Sequence, residues 1–98
     1  MSQIQKKVFY QPGEVSEQDW MLESDLVEYV RRGEVRQLHL SGNEDGKWTL
    51  YVLLLYRRAF MVVRTVRGSI RGFASIDKLM SSLVRLGDGK VPPLTISV

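Results

Sequence analysis

Arginine is the side chain in this sequence whose type and placement best suit chemistry, and that chemistry is the binding of anions. Its planar guanidinium donates two parallel hydrogen bonds to a phosphate. From Lys47 to Ile76 the chain carries Lys47, Arg57, Arg58, Arg64, Arg67 and Arg71 and no Asp or Glu, a net of +6. From Glu14 to Glu28 it carries Glu14, Glu17, Asp19, Glu23, Asp25 and Glu28 and no Lys or Arg, a net of −6. The modest overall charge of +3 thus conceals two opposed blocks. Arg57 and Arg58 fall between two strand-like runs, as at a hairpin tip. Arg64 shares a strand face with Phe60 and Val62, while Arg67 and Arg71 sit in RGSIRG beside Gly68 and Gly72, which allow close approach of another backbone. These five arginines make a candidate nucleic-acid-binding surface with DNA as the expected partner. The competing reading pairs the basic strands with the acidic helix, in the same molecule or in a neighbour. Few aromatic residues stand beside these arginines, so stacking of single-stranded bases is not expected.

Catalytic chemistry finds little support. There are no cysteines, which removes thiol catalysis, disulfides and Cys-based metal sites. The one histidine, His39, is expected on the polar face of a strand, solvated or bonded at the surface, with no acid or thiol partner. Asn43-Glu44-Asp45-Gly46 resembles a calcium loop but lacks the alternating ligands and closing Glu, so it reads as a solvated turn. Gly87-Asp88-Gly89-Lys90 fails the spacing of a phosphate loop. The expectation is a non-enzymatic chain with no cofactor, no metal and no small-molecule substrate.

The elements that must position the arginines follow from period and punctuation. Ninety-eight residues make one domain, with residues 1–15 as an arm ending in the Pro12-Gly13 turn. Val8, Phe9 and Tyr10 suggest a short edge strand, and Ser16 suggests the cap of a short helical turn reaching Trp20, with Glu17 in its first turn. Leu22, Leu26, Tyr29 and Val30 recur at helical spacing, Arg31 and Arg32 suit a C-terminal end, and Gly33 follows, which predicts a helix over 22–32. Val35 to Leu40 alternates as a strand, and SGNEDGK over 41–47 is a loop. Trp48 to Tyr56 is apolar on both faces, and Ala59 to Val66 forms the next strand after a tight Arg57-Arg58 turn. Ser75 caps a second helix with Ile76, Leu79, Met80, Leu83 and Val84 on one face, closed at Gly87 and the Asp88-Gly89 turn. Pro92-Pro93 precedes a last strand holding Leu94, Ile96 and Val98. The fold class is α+β, a two-layer α-β-β-β-α-β arrangement with a three-stranded antiparallel meander and both helices on one face.

Two short helices cover only one face of such a sheet. Tyr51, Leu53 and Leu55 then form an apolar patch suited to a protein partner, and a homodimer through the sheet face or the last strand is the favoured resolution. The alternative is that the N-terminal arm folds over that face. A second functional reading follows, a protein-interaction module using the apolar face and the acidic helix. Trp20 and Trp48 are expected in the core or an interface.

Arg71 to Leu86 (RGFASIDKLMSSLVRL), following a meander, together with Pro12-Gly13-Glu14-Val15-Ser16 and Trp20, resembles small plasmid-borne proteins of the ParC-type, partition-associated kind. That resemblance implies a role in plasmid maintenance and assigns no site residue. The longest apolar stretch, Trp48 to Tyr56, is far short of the ~20 residues of a membrane-spanning helix. Lys6 and Lys7 are followed by no apolar signal segment. A cytoplasmic location without membrane contact is therefore expected.

Overall fold

The structure is a computed structural model that describes residues 9–16, 18–87, 89 and 91–97. Its elements in chain order are β1 (Trp20–Leu22), α1 (Glu23–Arg31), β2 (Val35–Gly42), β3 (Trp48–Leu54), β4 (Met61–Arg64), β5 (Gly72–Phe73), α2 (Ile76–Leu86) and β6 (Leu94–Ser97). The expected α+β class holds. The strands form one open mixed sheet in the order β1-β4-β3-β2-β6, with β5 also paired to β3. The expected meander β2-β3-β4 is antiparallel at its centre, and the outer strands β1 and β6 each run parallel to their neighbour. The last strand pairs within its own chain, Leu38 opposite Leu94 and Leu40 opposite Ile96.

Helical spacing explains the packed layer. Leu26 and Val30 of α1 and Leu79 and Leu83 of α2 meet Leu38, Leu40, Leu50, Val52 and Val63 from the sheet in a single apolar cluster. The Ser75 side chain accepts the Lys78 N–H at 3.3 Å, starting α2 as expected, and the Gly87 N–H returns to the Leu83 carbonyl at 2.9 Å. Gly33 closes α1 with a φ of +70°, a left-handed conformation that suits glycine.

Several local expectations change. Ser16 caps only a turn: the Asp19 N–H bonds the Ser16 carbonyl at 2.9 Å, and the chain then enters β1 instead of a helix. Strand alternation explains why, because Met21 is buried in the core while Trp20 faces outward. Phe9 and Tyr10 form no strand, and Val8 and Glu17 lie outside the described residues, as do Asp88, Lys90 and Val98. The β3–β4 connection occupies residues 55–60 instead of a two-residue turn. No residue pair there favours the left-handed conformations that a tight hairpin requires, and Phe60 is drawn down into a buried position. RGSIRG leaves the sheet after β4 and returns as β5, which takes over the pairing with the start of β3 (Trp48 to Phe73, Thr49 to Gly72). The neck of this loop is tied by Arg71 N–H to the Val63 carbonyl at 2.9 Å and Thr65 N–H to the Ser69 carbonyl at 2.8 Å.

A bulge in β2 sets which side chain faces where. Val35 pairs with Leu54 and Gln37 with Leu53, so Arg36 is the extra residue. The insertion reverses the parity of the strand. Val35 joins the helix-side core, whereas Gln37 and His39 turn to the opposite face.

That opposite face is covered in part by the arm, the alternative to an open patch. The Gln37 amide clamps Tyr10 at two points, accepting its N–H at 2.8 Å and donating to its carbonyl at 2.9 Å. Its remaining N–H donates to Thr95 Oγ1 at 2.9 Å, so the buried amide leaves no donor idle. Gln11, Pro12 and Gly13 border His39 and Tyr51. Leu53 is consequently buried, Tyr51 is half-buried, and Leu55 stays open. Gln37→Ala is expected to lower folding stability by about 1–3 kcal/mol, since it strands buried polar groups. Urea denaturation checks this against Gln11→Ala, an exposed neighbour expected to change stability by under about 0.5 kcal/mol.

Candidate functional site

The sequence places five arginines around one strand, and the structure divides them between its two ends. Arg57 and Arg58 lie in the turn before β4, while Arg64 ends β4 and Arg67 and Arg71 belong to the loop beyond it. The extended rise of a strand puts Arg58 and Arg64 at most ~20 Å apart. They flank β4 and are not a single patch.

At the turn end, Arg57 Nη1 lies 3.6 Å from Asp19 Oδ1. Arg58 is exposed and makes no ion pair among the described residues. The bulge adds a third guanidinium that sequence reasoning missed, since Arg36 Nη2 donates to the Leu55 carbonyl at 3.2 Å. Arg36, Arg57 and Arg58 border a cleft of about 490 Å³ together with Tyr10, Tyr56, Leu53 and Leu55. No single-sequence signal marks Arg36, because the bulge that turns it out arises from pairing with β3.

At the loop end, the Arg64 guanidinium stands over the Trp20 ring, 5.7 Å from its centroid, and its Nε is buried without a hydrogen-bond partner. Arg71 is held more firmly. Its Nε lies 3.6 Å from Glu23 Oε2, its Nη1 donates to the Gly72 carbonyl at 3.0 Å, and its guanidinium lies 5.0 Å from the centre of the Phe73 ring. Arg67 is exposed and unpaired among the described residues. Val66 and Ile70 on the same loop are also exposed.

Among the described residues the acidic block reaches the basic one at two points, Asp19 and Glu23. Both pairs are 3.6 Å long and partly or largely exposed, and such pairs contribute about 0–1 kcal/mol. The other α1 acids are engaged locally: Glu28 with Arg31 and Arg32, and Asp25 as acceptor of the Leu22 N–H at 3.1 Å. Internal neutralisation of the arginines is therefore partial. The aromatic expectation also changes. Each end carries aromatic rings, Tyr10 and Tyr56 at the turn and Trp20 and Phe73 at the loop. Tyr56 adjoins Arg57 in sequence, and Phe73, two residues from Arg71, is buried in the core. Tyr10 and Trp20 come from distant segments and were not visible as platforms.

The three apolar positions expected at a protein interface separate as well. Leu53 and Leu55 border the arginine-rimmed cleft, and Tyr51 lies beside His39, with ring centroids 6.4 Å apart.

His39 is not solvated. It is 2% exposed, with Nδ1 2.6 Å from Thr95 Oγ1 and Nε2 2.9 Å from Ser97 Oγ. The parallel pairing of β6 with β2 brings these hydroxyls alongside, across 56 and 58 residues of sequence. One hydroxyl donates and the other accepts, which satisfies a neutral imidazole. Burial pushes its pKa below the ordinary value of 6.5. An unfolded chain then binds a proton that the folded one resists, so stability is full above 6.5 and falls as the solution is acidified below it. The slope should not exceed ~1.4 kcal/mol per pH unit for this one group. His39→Gln is expected to flatten that acid-side slope in urea denaturation, and a variant curve parallel to wild type would contradict the assignment.

Among the described residues no group of three or more His, Asp or Glu side chains is placed to hold a metal, and Asp45 Oδ1 accepts the Lys47 N–H at 3.0 Å. No described helix is long and apolar enough to cross a membrane. Comparison with family models, curated proteins and solved structures finds no match to this chain.

Proposed function

We propose that this chain is a non-enzymatic accessory factor that binds nucleic acid through the arginines flanking β4. The observation that carries the reading is that, among the described residues, the acidic block engages only Arg57 and Arg71, through long exposed pairs, while Arg58 and Arg67 make none. Guanidiniums at both ends of a rigid strand give two separated holds on a phosphate backbone, which positions a protein without reading sequence. The ion pairs with Asp19 and Glu23 open at little cost when a phosphate competes. The resemblance of Arg71 to Leu86, with Pro12 to Ser16 and Trp20, to partition-associated proteins supports plasmid maintenance, in the cytoplasm, as the setting of such binding. The experiment is a titration of isotope-labelled chain with random-sequence duplex, followed by backbone amide shifts. Changes are expected at residues 57–58 and 64–71; changes confined to α2 would refute the reading.

A second reading rests on Leu55 and Tyr56. Both are exposed, Tyr56 at 84%, beside Arg57 and Arg58, and tyrosine with arginine is the composition of interface hot spots. A protein partner or a homodimer through this end then uses the same cleft. Sedimentation of the isolated chain across a concentration series separates the dimer from the monomer.

A further inference from the structure

We infer that the cleft at the β3–β4 turn holds one unpaired nucleobase with its phosphate, so that the chain prefers single-stranded or extruded nucleotides at this end of β4. The inference rests on the nucleic-acid reading above and adds to it the form of the ligand.

Four observations combine. The cleft, about 490 Å³, is within the usual ~300–1,000 Å³ of small-ligand sites, whereas a duplex backbone needs only a surface. Its apolar lining comes from Leu53, which is buried, and Leu55. Tyr56 is 84% exposed, so its ring is free of the core and available to a base face. Tyr10 supplies a second ring, and its backbone is anchored by the Gln37 clamp.

The rim supplies the charge. Among the described residues Arg36, Arg57 and Arg58 border the cleft and no carboxylate does, and Asp19 reaches it only through its pair with Arg57. Arg36 is aimed there by the β2 bulge and steadied by the Leu55 carbonyl, which leaves the rest of its guanidinium for a phosphate. A flat ring that stacks by its π face, flanked by a single diffuse anion, matches this combination. A stacked base is sequence-tolerant because every base offers a π face.

An acidic peptide or the acidic α1 of a second copy would satisfy the rim but has no use for two tyrosine rings, and these occupants are outcomes of the test. Fluorescence anisotropy at 50 mM salt would compare a labelled oligo-dT strand with a random duplex of equal length, for wild type, Tyr56→Ala and Tyr56→Phe. Tyr56 is outside the core, so both variants should fold, which thermal melting verifies. The expected result is tenfold or greater weakening of oligo-dT binding in Tyr56→Ala, recovery in Tyr56→Phe, and duplex binding within about twofold of wild type. Unchanged oligo-dT binding in Tyr56→Ala, or equal loss on both ligands, overturns the stacked-base site while leaving the nucleic-acid reading intact. Binding of neither nucleic acid by the wild type overturns both, and points to the protein occupants.

Discussion

Leu50→Ala is expected to cost about 3–5 kcal/mol of folding stability, the largest loss from any single truncation considered for this chain. Leu50 lies mid-way along β3, fully buried, where β3 pairs with β2 and its side chain joins the cluster beneath α1 and α2. Truncation removes the transfer energy of three carbons and leaves a void that paired strands on both sides prevent from closing. For a domain of this size total stability is about 5–15 kcal/mol, so the melting temperature should fall by at least about 12 °C. Val84→Ala, at an apolar but 46% exposed position of α2, should change stability by under about 0.5 kcal/mol. Melting and urea curves of the two variants test the ranking. A Leu50→Ala loss smaller than about 1 kcal/mol would mean that β3 is not at the centre of the core.

The second large effect concerns binding. Arg58→Glu/Arg67→Glu places one reversed charge at each end of β4, at the two exposed arginines without ion pairs among the described residues. Each phosphate contact releases about 0.9 counterion, which at 50 mM salt corresponds to roughly tenfold in affinity. Loss of two contacts is therefore expected to weaken duplex binding by about a hundredfold or more and to reduce the salt slope by about 1.8. Folding should be untouched, because neither side chain is buried. Arg31→Glu, which disrupts an exposed pair with Glu28 in the last turn of α1, serves as the control and should reduce binding much less. If the double variant and the control bound alike, the charge at the ends of β4 would not be the binding determinant.

What could be read from the sequence was what long periodic segments announce. α2 shows its apolar stripe, its Ser75 cap and its Gly87 stop, and the observed helix keeps all three. The meander was visible because β2 alternates over several residues and β3 is a long apolar run bounded by the 41–47 loop and Arg57-Arg58. β1 and β5 were not, since three and two residues carry no period, and their partners are distant in sequence, as with Trp20 and Val62. The bulge at Arg36 was hidden for the same reason: it is a property of the β2–β3 pairing and not of either strand alone. His39 was misplaced because Thr95 and Ser97, which make its burial tolerable, sit at the other end of the chain.

The charge blocks show the same division. Their signs and sizes were plain from composition. Whether they would cancel depended on where the acidic segment lies relative to β4, and among the described residues only Asp19 and Glu23 reach across. The apolar patch was likewise only half legible. Alternation along β3 gave the shared face of Tyr51, Leu53 and Leu55, but the arm that covers part of it is tied down by Gln37, a contact between distant segments.

The central claim is that the arginines around β4 are available to phosphates. The most direct test is the affinity of the wild-type chain for a random-sequence duplex as a function of salt, from about 50 mM upward, where counterion release is easily resolved. With three to five phosphates engaged, log K against log salt should be linear with a slope of about −2.7 to −4.5. A flat line, or no binding at the lowest salt, would contradict the account.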